Sequence, residues 1–266
     1  MVGEPTDEGR IAVTEARPRS GGVQSVDRAF ELLELVADAG GEATLSHLAE
    51  ASGLPQPTIH RLLRTLSAGG YIRQQPSRRY SLGPRLIRLG ETASRVLGAS
   101  AGPHLTRLRD RTGETSNMAV LDGDQVVYVA QVPSPHAMRM FTEVGQRVDL
   151  HCTAVGKAVL AALPPDESDR ILSRISMSPR TPHTLTDPAV LRTEIDRVRI
   201  QGYAQDDGEQ EIGVRCYAVA VPDAPTRAAI SISGPQSRVA GLDMNTIIPL
   251  LQQTATALGR DLLSQS

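Results

Sequence analysis

The stretch Leu45–Leu66, LSHLAEASGLPQPTIHRLLRTL, decides how the first third of the chain folds. Leu45, Leu48 and Ala49 recur at the spacing of one helical face, and the hydroxyl of Thr44 can cap that helix. Gly53 suits the left-handed geometry in which a helix stops and turns. Pro55 and Pro57 fall where a new helix starts, at positions that lose no intrahelical N–H bond. Ile59, Leu62, Leu63 and Leu66 then form a second apolar face. Gln56, Thr58, His60, Arg61, Arg64 and Thr65 are left pointing outward. The pattern is helix, tight turn, helix, with a polar and basic outer side on the second helix. Ordinary helical hairpins share that outline, so the flanking sequence must decide.

Upstream, SVDRAFELLELVADAG places Val26, Phe30, Leu33 and Val36 on one face, with Ser25 as N-cap and Gly40 as stop. Downstream, GGYIRQQPSRRYSLGPRL alternates apolar and polar residues on both sides of QPSRR. It predicts a β-hairpin wing, Tyr71–Gln74 and Arg79–Leu82, with Arg78 and Arg79 at its tip. Between Pro55 and Arg95 stand eight arginines against one acid, Glu91, a local charge of +7 in a chain whose net charge is −2. Such a patch fits phosphate contacts and counterion release. A winged helix-turn-helix places its second helix in the major groove of DNA. There Gln can pair with adenine, Arg with guanine, and Thr can meet a thymine methyl. We therefore expect Gln56, Thr58, His60, Arg61 and Arg64 to read bases and Arg78 and Arg79 to hold phosphates. The expected domains are a disordered tail over 1–21, the winged helix-turn-helix over 22–83 and a linker helix over 84–98. In that helix Leu86, Leu89 and Ala93 form the apolar stripe and Gly98 the stop. A second domain follows over 99–266.

Composition sets outer limits. With 266 residues, 40% hydrophobic and 22% charged, the chain has ordinary globular values. Aromatics make up 3% and Trp is absent, so the core must be built from Leu, Val, Ile and Ala. The slightly acidic total excludes polyanion binding by the chain as a whole. The two cysteines, Cys152 and Cys216, show no metal-ligand spacing, and no signal-peptide pattern is present. Reduced thiols in a cytoplasmic protein, with no metal and no cofactor, are the expectation. The apolar runs are too short to span a bilayer, which excludes a membrane partner. One lysine, Lys157, stands against 27 arginines, a pattern that fits coding bias better than chemistry.

From Pro103 the chain predicts a helix ending at Gly113, then a strand, an Asp-Gly turn and a strand in TSNMAVLDGDQVVYVAQV. AMRMFT suggests a further short strand. A helix opens near Thr153. PDESDRILSRI forms another, and a third begins at Asp187–Pro188 and stops at Gly202. YAQDDGE is a short strand leading into a polar loop. RCYAVAVPDAPTRAAISISG is a second hairpin. DMNTIIPLLQQTATALGRDLLSQ closes the chain as a long helix with Pro249 inside it. Hairpins dominate, so the fold class is a multi-domain α/β chain whose C-terminal sheet is antiparallel, rather than doubly wound.

The stretch His151–Pro165, HCTAVGKAVLAALPP, concentrates candidate chemistry. It fails the P-loop pattern, because His151 and Ala158 occupy positions that need Gly and Ser or Thr. His151 and Cys152 are neighbours, and on a strand neighbours point to opposite faces, which weakens a nucleophile–base pair. SISGP lacks the nucleophile elbow. Catalytic residues are therefore not expected, although an enzyme using Cys152 or Cys216 stands as a rival reading. Anion binding survives these tests. The small residues Ala154, Val155 and Gly156 open a helix whose first N–H groups and dipole favour a carboxylate. Ser231 and Ser233, two apart on a strand, face one side. Cys216 is equally a small buried hydrophobe, and Lys157 reads as readily as a snorkelling surface residue, a bystander to the loop or at most a distant charge, as it does as a ligand contact.

Taken together, SVDRAFELLELV, LSHLAEASGLPQPTIHRLLRTL, YSLGPRLIRLG, GET, GQRVDLHCTAVGKAVLA, GYAQDDGEQEIGVRCYAVAV and SISGPQSRV resemble the IclR-type transcriptional regulators over about residues 22–264. The resemblance implies a winged helix-turn-helix head, a linker helix and a GAF-like effector domain. It also implies homodimers, often paired into dimers of dimers, on palindromic operator DNA, and small organic acids or aromatic catabolites as effectors. By the same resemblance the effector pocket uses Ala154, Val155, Gly156, Asp206, Cys216, Ser231 and Ser233. AMRMFTEVGQRVDLH and the paired serines look most like regulators of allantoin and glyoxylate metabolism. Those relatives carry Gly-Ala where this chain has Ala154-Val155, so the pocket is expected to be reshaped. The implied function is a repressor of a catabolic operon, relieved by a small carboxylate. An aromatic-acid-responsive activator or repressor is the alternative, although aromatic stacking partners are scarce here.

Overall fold

The computed structural model describes residues 22–98, 100–140 and 142–264, so the tail expected over 1–21 lies outside the described residues. The chain forms two compact units that part between Gly90 and Glu91. In order, the first contains α1 (Gln24–Asp38), β1 (Glu42–Ala43), α2 (Leu45–Ser52), α3 (Gln56–Ala68), β2 (Ile72–Gln74), β3 (Tyr80–Leu82) and the start of α4 (Arg85–Gly98). The Thr44 hydroxyl accepts the His47 N–H at 3.2 Å, and Gly53, at φ 64°, ends α2 in the left-handed region. Leu32, Val36, Leu48, Ile59, Leu63 and Ile72 make the core. Each contributes on the order of 1.5–3 kcal/mol by leaving water. Leu45, Ala49 and Leu62 pack half-buried at its margin.

The wing forms as β2 pairs with β3, with Arg78 at φ 64° in the turn. A third strand, β1, pairs on the other side of β3. It is two residues long, too short to show any period. The first helix corrects the sequence reading. It begins at Gln24 after Val23, no side chain caps it, and Ser25 lies within it. Val26 and Phe30 are exposed, Phe30 to 61%, while Leu32 and Val36 face inward. Apolar residues occupy more than one side of this helix, and packing against α2 and α3 turns the buried face from the expected one: Val36 and half-buried Leu33 stay on it, while Leu32 replaces Val26 and Phe30. On α4 the expected stripe is likewise open: Leu89 and Ala93 are exposed, as is Ile87, and Leu86 is half-buried.

The second unit continues with α5 (Ala101–Thr112), β4 (Thr115–Asp122), β5 (Gln125–Val132), β6 (Arg147–Asp149), α6 (Ala154–Ala162), α7 (Pro165–Leu172), α8 (Pro188–Gln201), β7 (Ala204–Asp207), β8 (Val214–Ala220), β9 (Ala228–Pro235), α9 (Gln236–Val239) and α10 (Met244–Ser264). Six strands form one sheet in the order β6-β5-β4-β9-β8-β7, every pairing antiparallel. The antiparallel reading therefore holds. One face, with Ala119, Val126, Ala218 and Ala229, packs against α6, α7 and α8. The other, with Met118, Val219, Ile230 and Ile232, packs against α5 and α10. Asp187 caps α8 by accepting the Ala189 N–H at 2.8 Å. α10 runs on through Pro249.

AMRMFT is not a strand: its described residues, 137–140 and 142, lie in irregular chain. The sheet edge beside β5 is taken by β6, which pairs Arg147–Asp149 with Gln125–Val127. Among the described residues no helix is long and apolar enough to cross a membrane.

Candidate functional site

In the first unit, the outward side of α3 exposes Gln56, His60, Arg61 and Arg64, with Thr58 half-buried. A groove of about 400 Å³ runs between this helix and the wing, lined by His60, Arg61, Arg64, Ser67, Gln74 and Tyr80. The arginines differ in freedom. Arg79 lies 3.4 Å from the Glu42 carboxylate and donates to the Glu42 carbonyl at 3.2 Å. Arg85 stacks over the Tyr71 ring at 5.1 Å and donates to the Gly69 carbonyl. Arg61, Arg64 and Arg78 form no ion pair among the described residues and face solvent. Gln74 and Ser67 of the groove were not singled out from the sequence. Gln74 is brought beside α3 by the hairpin, and Ser67 lies in the last turn of α3 itself.

In the second unit the sheet brings the expected residues into rows. Asp206, Cys216 and Ser233 are consecutive cross-strand partners on β7, β8 and β9, and Ala204, Ala218, Ser231 and Asn117 form the next row. All of these face the α6 side and are buried. Ser231 and Ser233 are thus not on a solvent face. The α6 helix starts above them, capped by Thr153, whose hydroxyl accepts the Gly156 N–H at 3.2 Å. That bond removes Gly156 from the set of free donors. The glycine serves packing instead, because a Cβ there would collide with the Leu150 carbonyl. Ala154 and Val155 keep the unpaired N–H groups typical of a first turn.

Lys157 overturns its reading as a surface bystander. It is 1% exposed and pairs with Glu209 at 2.5 Å and with Glu194 at 3.9 Å. Its partners lie 52 and 37 residues away in sequence, so no local pattern could show them. Burial pushes the Glu209 carboxyl upward, and Lys157 opposes that shift. Nearby, Asp206 accepts the Glu209 N–H at 2.7 Å. Burial, followed by the Glu209 charge, pushes the Asp206 carboxyl up to about 7.

His151 and Cys152 also converge, against the strand-based expectation, because the chain bends there rather than extending. Asp149, His151 and Cys152 place one ligand-type atom each within 4.8 Å of one another. The atoms have protein partners: Asp149 takes Arg180 at 2.7 Å, Cys152 donates to Gln210 at 2.8 Å, and His151 Nε2 meets the Ser178 carbonyl at 3.0 Å. His151 Nδ1 is buried without a partner. Burial lowers the His151 pKa and raises those of both cysteines. Protonated, buried thiols are the reverse of an activated nucleophile.

Asn117, Gln131 and Thr142 were missed. Asn117 Nδ2 lies 3.4 Å from both Ser231 Oγ and Ser233 Oγ, and its Oδ1 accepts from Gln131 at 3.1 Å and Thr142 at 3.2 Å. An asparagine at an inward position of the hairpin strand TSNMAVLD was the available signal. Polar residues on a core-facing position need partners.

A basic recognition helix with a wing, joined to a small α/β domain, defines a DNA-binding transcriptional regulator. Two family models match the chain: the IclR helix-turn-helix domain over residues 25–76 and the bacterial transcriptional regulator IclR C-terminal domain over residues 92–260. The transcriptional repressor IclR of Escherichia coli is 37% identical over 242 residues, 88% of each chain. The acetate operon repressor of Salmonella typhimurium is 36% identical over 242 residues, again 88% of each. The crystal structure of a transcriptional regulator from Rhodococcus sp. RHA1 superimposes with a TM-score of 0.77 at 33% identity, covering 92% of this chain and 100% of that one. The chain belongs to the IclR family. The proteins it matches are transcriptional regulators, not enzymes.

Proposed function

We propose that this regulator is a repressor of a catabolic operon, released from a palindromic operator when a small carboxylate binds its C-terminal domain. The observation that carries the DNA half is the solvent-facing, unpaired set of Arg61, Arg64 and Arg78 on α3 and the wing. In this reading Gln56, Thr58, His60, Arg61 and Arg64 meet base edges, and Arg78 and Arg79 meet phosphates. α4 links the head to the effector domain, and the protein works in the cytoplasm. Two copies pair, and pairs assemble further, through exposed apolar residues such as Phe30 and Ile87, the latter 63% open in the single chain. Two heads side by side then match a two-fold operator.

The effector half rests on the buried polar residues Asp206, Cys216 and Ser233 of one cross-strand row and Ser231 of the next, beneath the free N–H groups of Ala154 and Val155, with Gly156 keeping the turn tight. That setting suits a small carboxylate, and by the chain's resemblance to regulators of allantoin and glyoxylate metabolism a metabolite of one of those pathways is the first candidate. The 36% identical Salmonella protein is an acetate operon repressor, which supports repression of carbon-compound catabolism. An effector works by favouring one placement of the heads over another. Gel-shift titration with and without glyoxylate, at two salt concentrations, tests the proposal. Release of operator by glyoxylate is expected. Failure to bind any operator, or salt-independent binding, would overturn the DNA half.

A further inference from the structure

We propose that Asn117, held by Gln131 and Thr142, sets the hydrogen-bond polarity of the buried polar cluster by filling an acceptor site on Ser231 and on Ser233, so that each offers its proton to a ligand, which favours an anionic effector oxygen. The proposal rests on the effector reading above and assigns positioning roles to three residues that do not themselves need to touch the ligand.

The chain of bonds starts at Gln131. Its amide nitrogen donates to Asn117 Oδ1 at 3.1 Å and also to the Thr142 hydroxyl. Thr142, with one acceptor site taken, spends its own proton on the same Asn117 oxygen at 3.2 Å. With the Gln131 amide turned this way, two donors meet the oxygen end of the Asn117 amide. The nitrogen must therefore face the opposite way, and it lies 3.4 Å from Ser231 Oγ and from Ser233 Oγ. A serine hydroxyl that accepts from an amide still owns a proton. Ser231 has no acceptor for it among the described residues, although it is buried. Ser233 turns towards the Cys216 sulfur, a weak acceptor. Two buried hydroxyl protons thus lack a strong acceptor, on the face of the sheet where α6 begins. A carboxylate oxygen supplies one, and bonds to an ionised acceptor are the stronger kind. An amide or alcohol in the same place satisfies them less well and brings protons of its own.

The test uses the full chain and isothermal titration with glyoxylate, pyruvate and 4-hydroxybenzoate, each acid being a defined probe. Pyruvamide and 4-hydroxybenzamide serve as neutral counterparts. We expect the wild type to bind at least one acid and to reject the matching amide. Asn117→Asp cannot donate to the serines at pH 8 and draws their protons to itself. It should weaken that acid at least about tenfold, the loss of one hydrogen bond to a charged group, and recover relative to wild type at pH 5 as the new carboxyl takes up a proton.

Gln131→Glu guards against a folding defect at position 117, since Gln131 is only half-buried. It should turn the Asn117 amide round and cause the same loss without approaching the ligand, whereas Gln131→Leu should cost much less. Folding of every variant is read by circular dichroism and by operator binding without effector. Wild-type affinity in folded Asn117→Asp or Gln131→Glu overturns the polarity assignment alone. If the wild type binds none of the acids, or binds the amides equally well, the carboxylate reading falls and this inference with it.

Discussion

The two units treat charge in opposite ways. In the first, charged and polar groups that can meet a ligand stand outside, over an apolar core of Leu32, Leu48, Ile59 and Leu63. In the second, they are inside: Lys157, Asp206, Glu209 and Asn117 are all buried. Exposed arginines cost the fold little and wait for a polyanion. Buried groups must be satisfied within the fold, and they lock the sheet to α6 and the loop after β7. The difference suits the two tasks. A DNA surface needs free charge, whereas a small-molecule pocket needs a few donors held in fixed orientation.

The largest expected effect comes from breaking the buried ion pair. Lys157→Met leaves Glu209 charged and unpaired, and should cost the second unit about 3–5 kcal/mol. Adding Glu209→Gln should restore much of that loss, because the uncompensated charge goes with it. Urea denaturation of the two variants measures both. Equal stability of the single and double variants would mean that the pair is not what holds this region.

That pair also shows where sequence reading stops. The first unit was legible because its signals are local: Thr44 three residues before the N–H it caps, Gly53 at the turn, leucines at helical spacing. It misled at Ser25, which lies inside α1 rather than capping it, at Val26 and Phe30, where apolar residues sit on two sides of one helix, and at Leu89, which is exposed on α4. In the second unit the hairpins and capped helices were legible for the same reason. The pocket was not, because its order comes from strand register. Register puts Asn117 beside Ser231, 114 positions on, and folding puts Lys157 against Glu209, 52 positions on. Lone polar residues in apolar strands were the only hint, and periodicity treats them as noise.

A second test sharpens the exposed side. Arg61→Ala should weaken operator binding by about 1–3 kcal/mol and relax preference at one base position. Gel shifts against single-base operator variants read this. A uniform loss across all sequences would move Arg61 from base reading to phosphate holding.

The buried side has a pH signature. Asp206 ionises at about 7 in the fold against an ordinary 3.8. Between those values the unfolded chain has already released a proton that the fold retains, so stability from this group is present at low pH and lost as pH rises through about 7. Glu209 strengthens the effect and Lys157 opposes it. Asp206→Asn keeps an oxygen for the Glu209 N–H and removes the charge. It should therefore melt higher than wild type at pH 8 and keep only the smaller part of that advantage at pH 5. The same advantage at both values would exclude ionisation of Asp206 as the cause.

The smallest effect tests the exposed side at its tip, where two adjacent arginines are not equivalent. Arg78 forms no ion pair among the described residues, whereas Arg79 is shared with Glu42. Arg78→Ala should reduce affinity for all sequences alike and flatten the salt dependence by about one unit of slope. Arg79→Ala should do less, since part of its charge is already spent inside the protein. Glu42→Ala then supplies the converse: it removes an acid from the wing and frees Arg79, so binding should tighten at low salt and the slope should steepen. If Glu42→Ala leaves the slope unchanged, Arg79 belongs to the wing's own structure and Arg78 alone speaks to the phosphates.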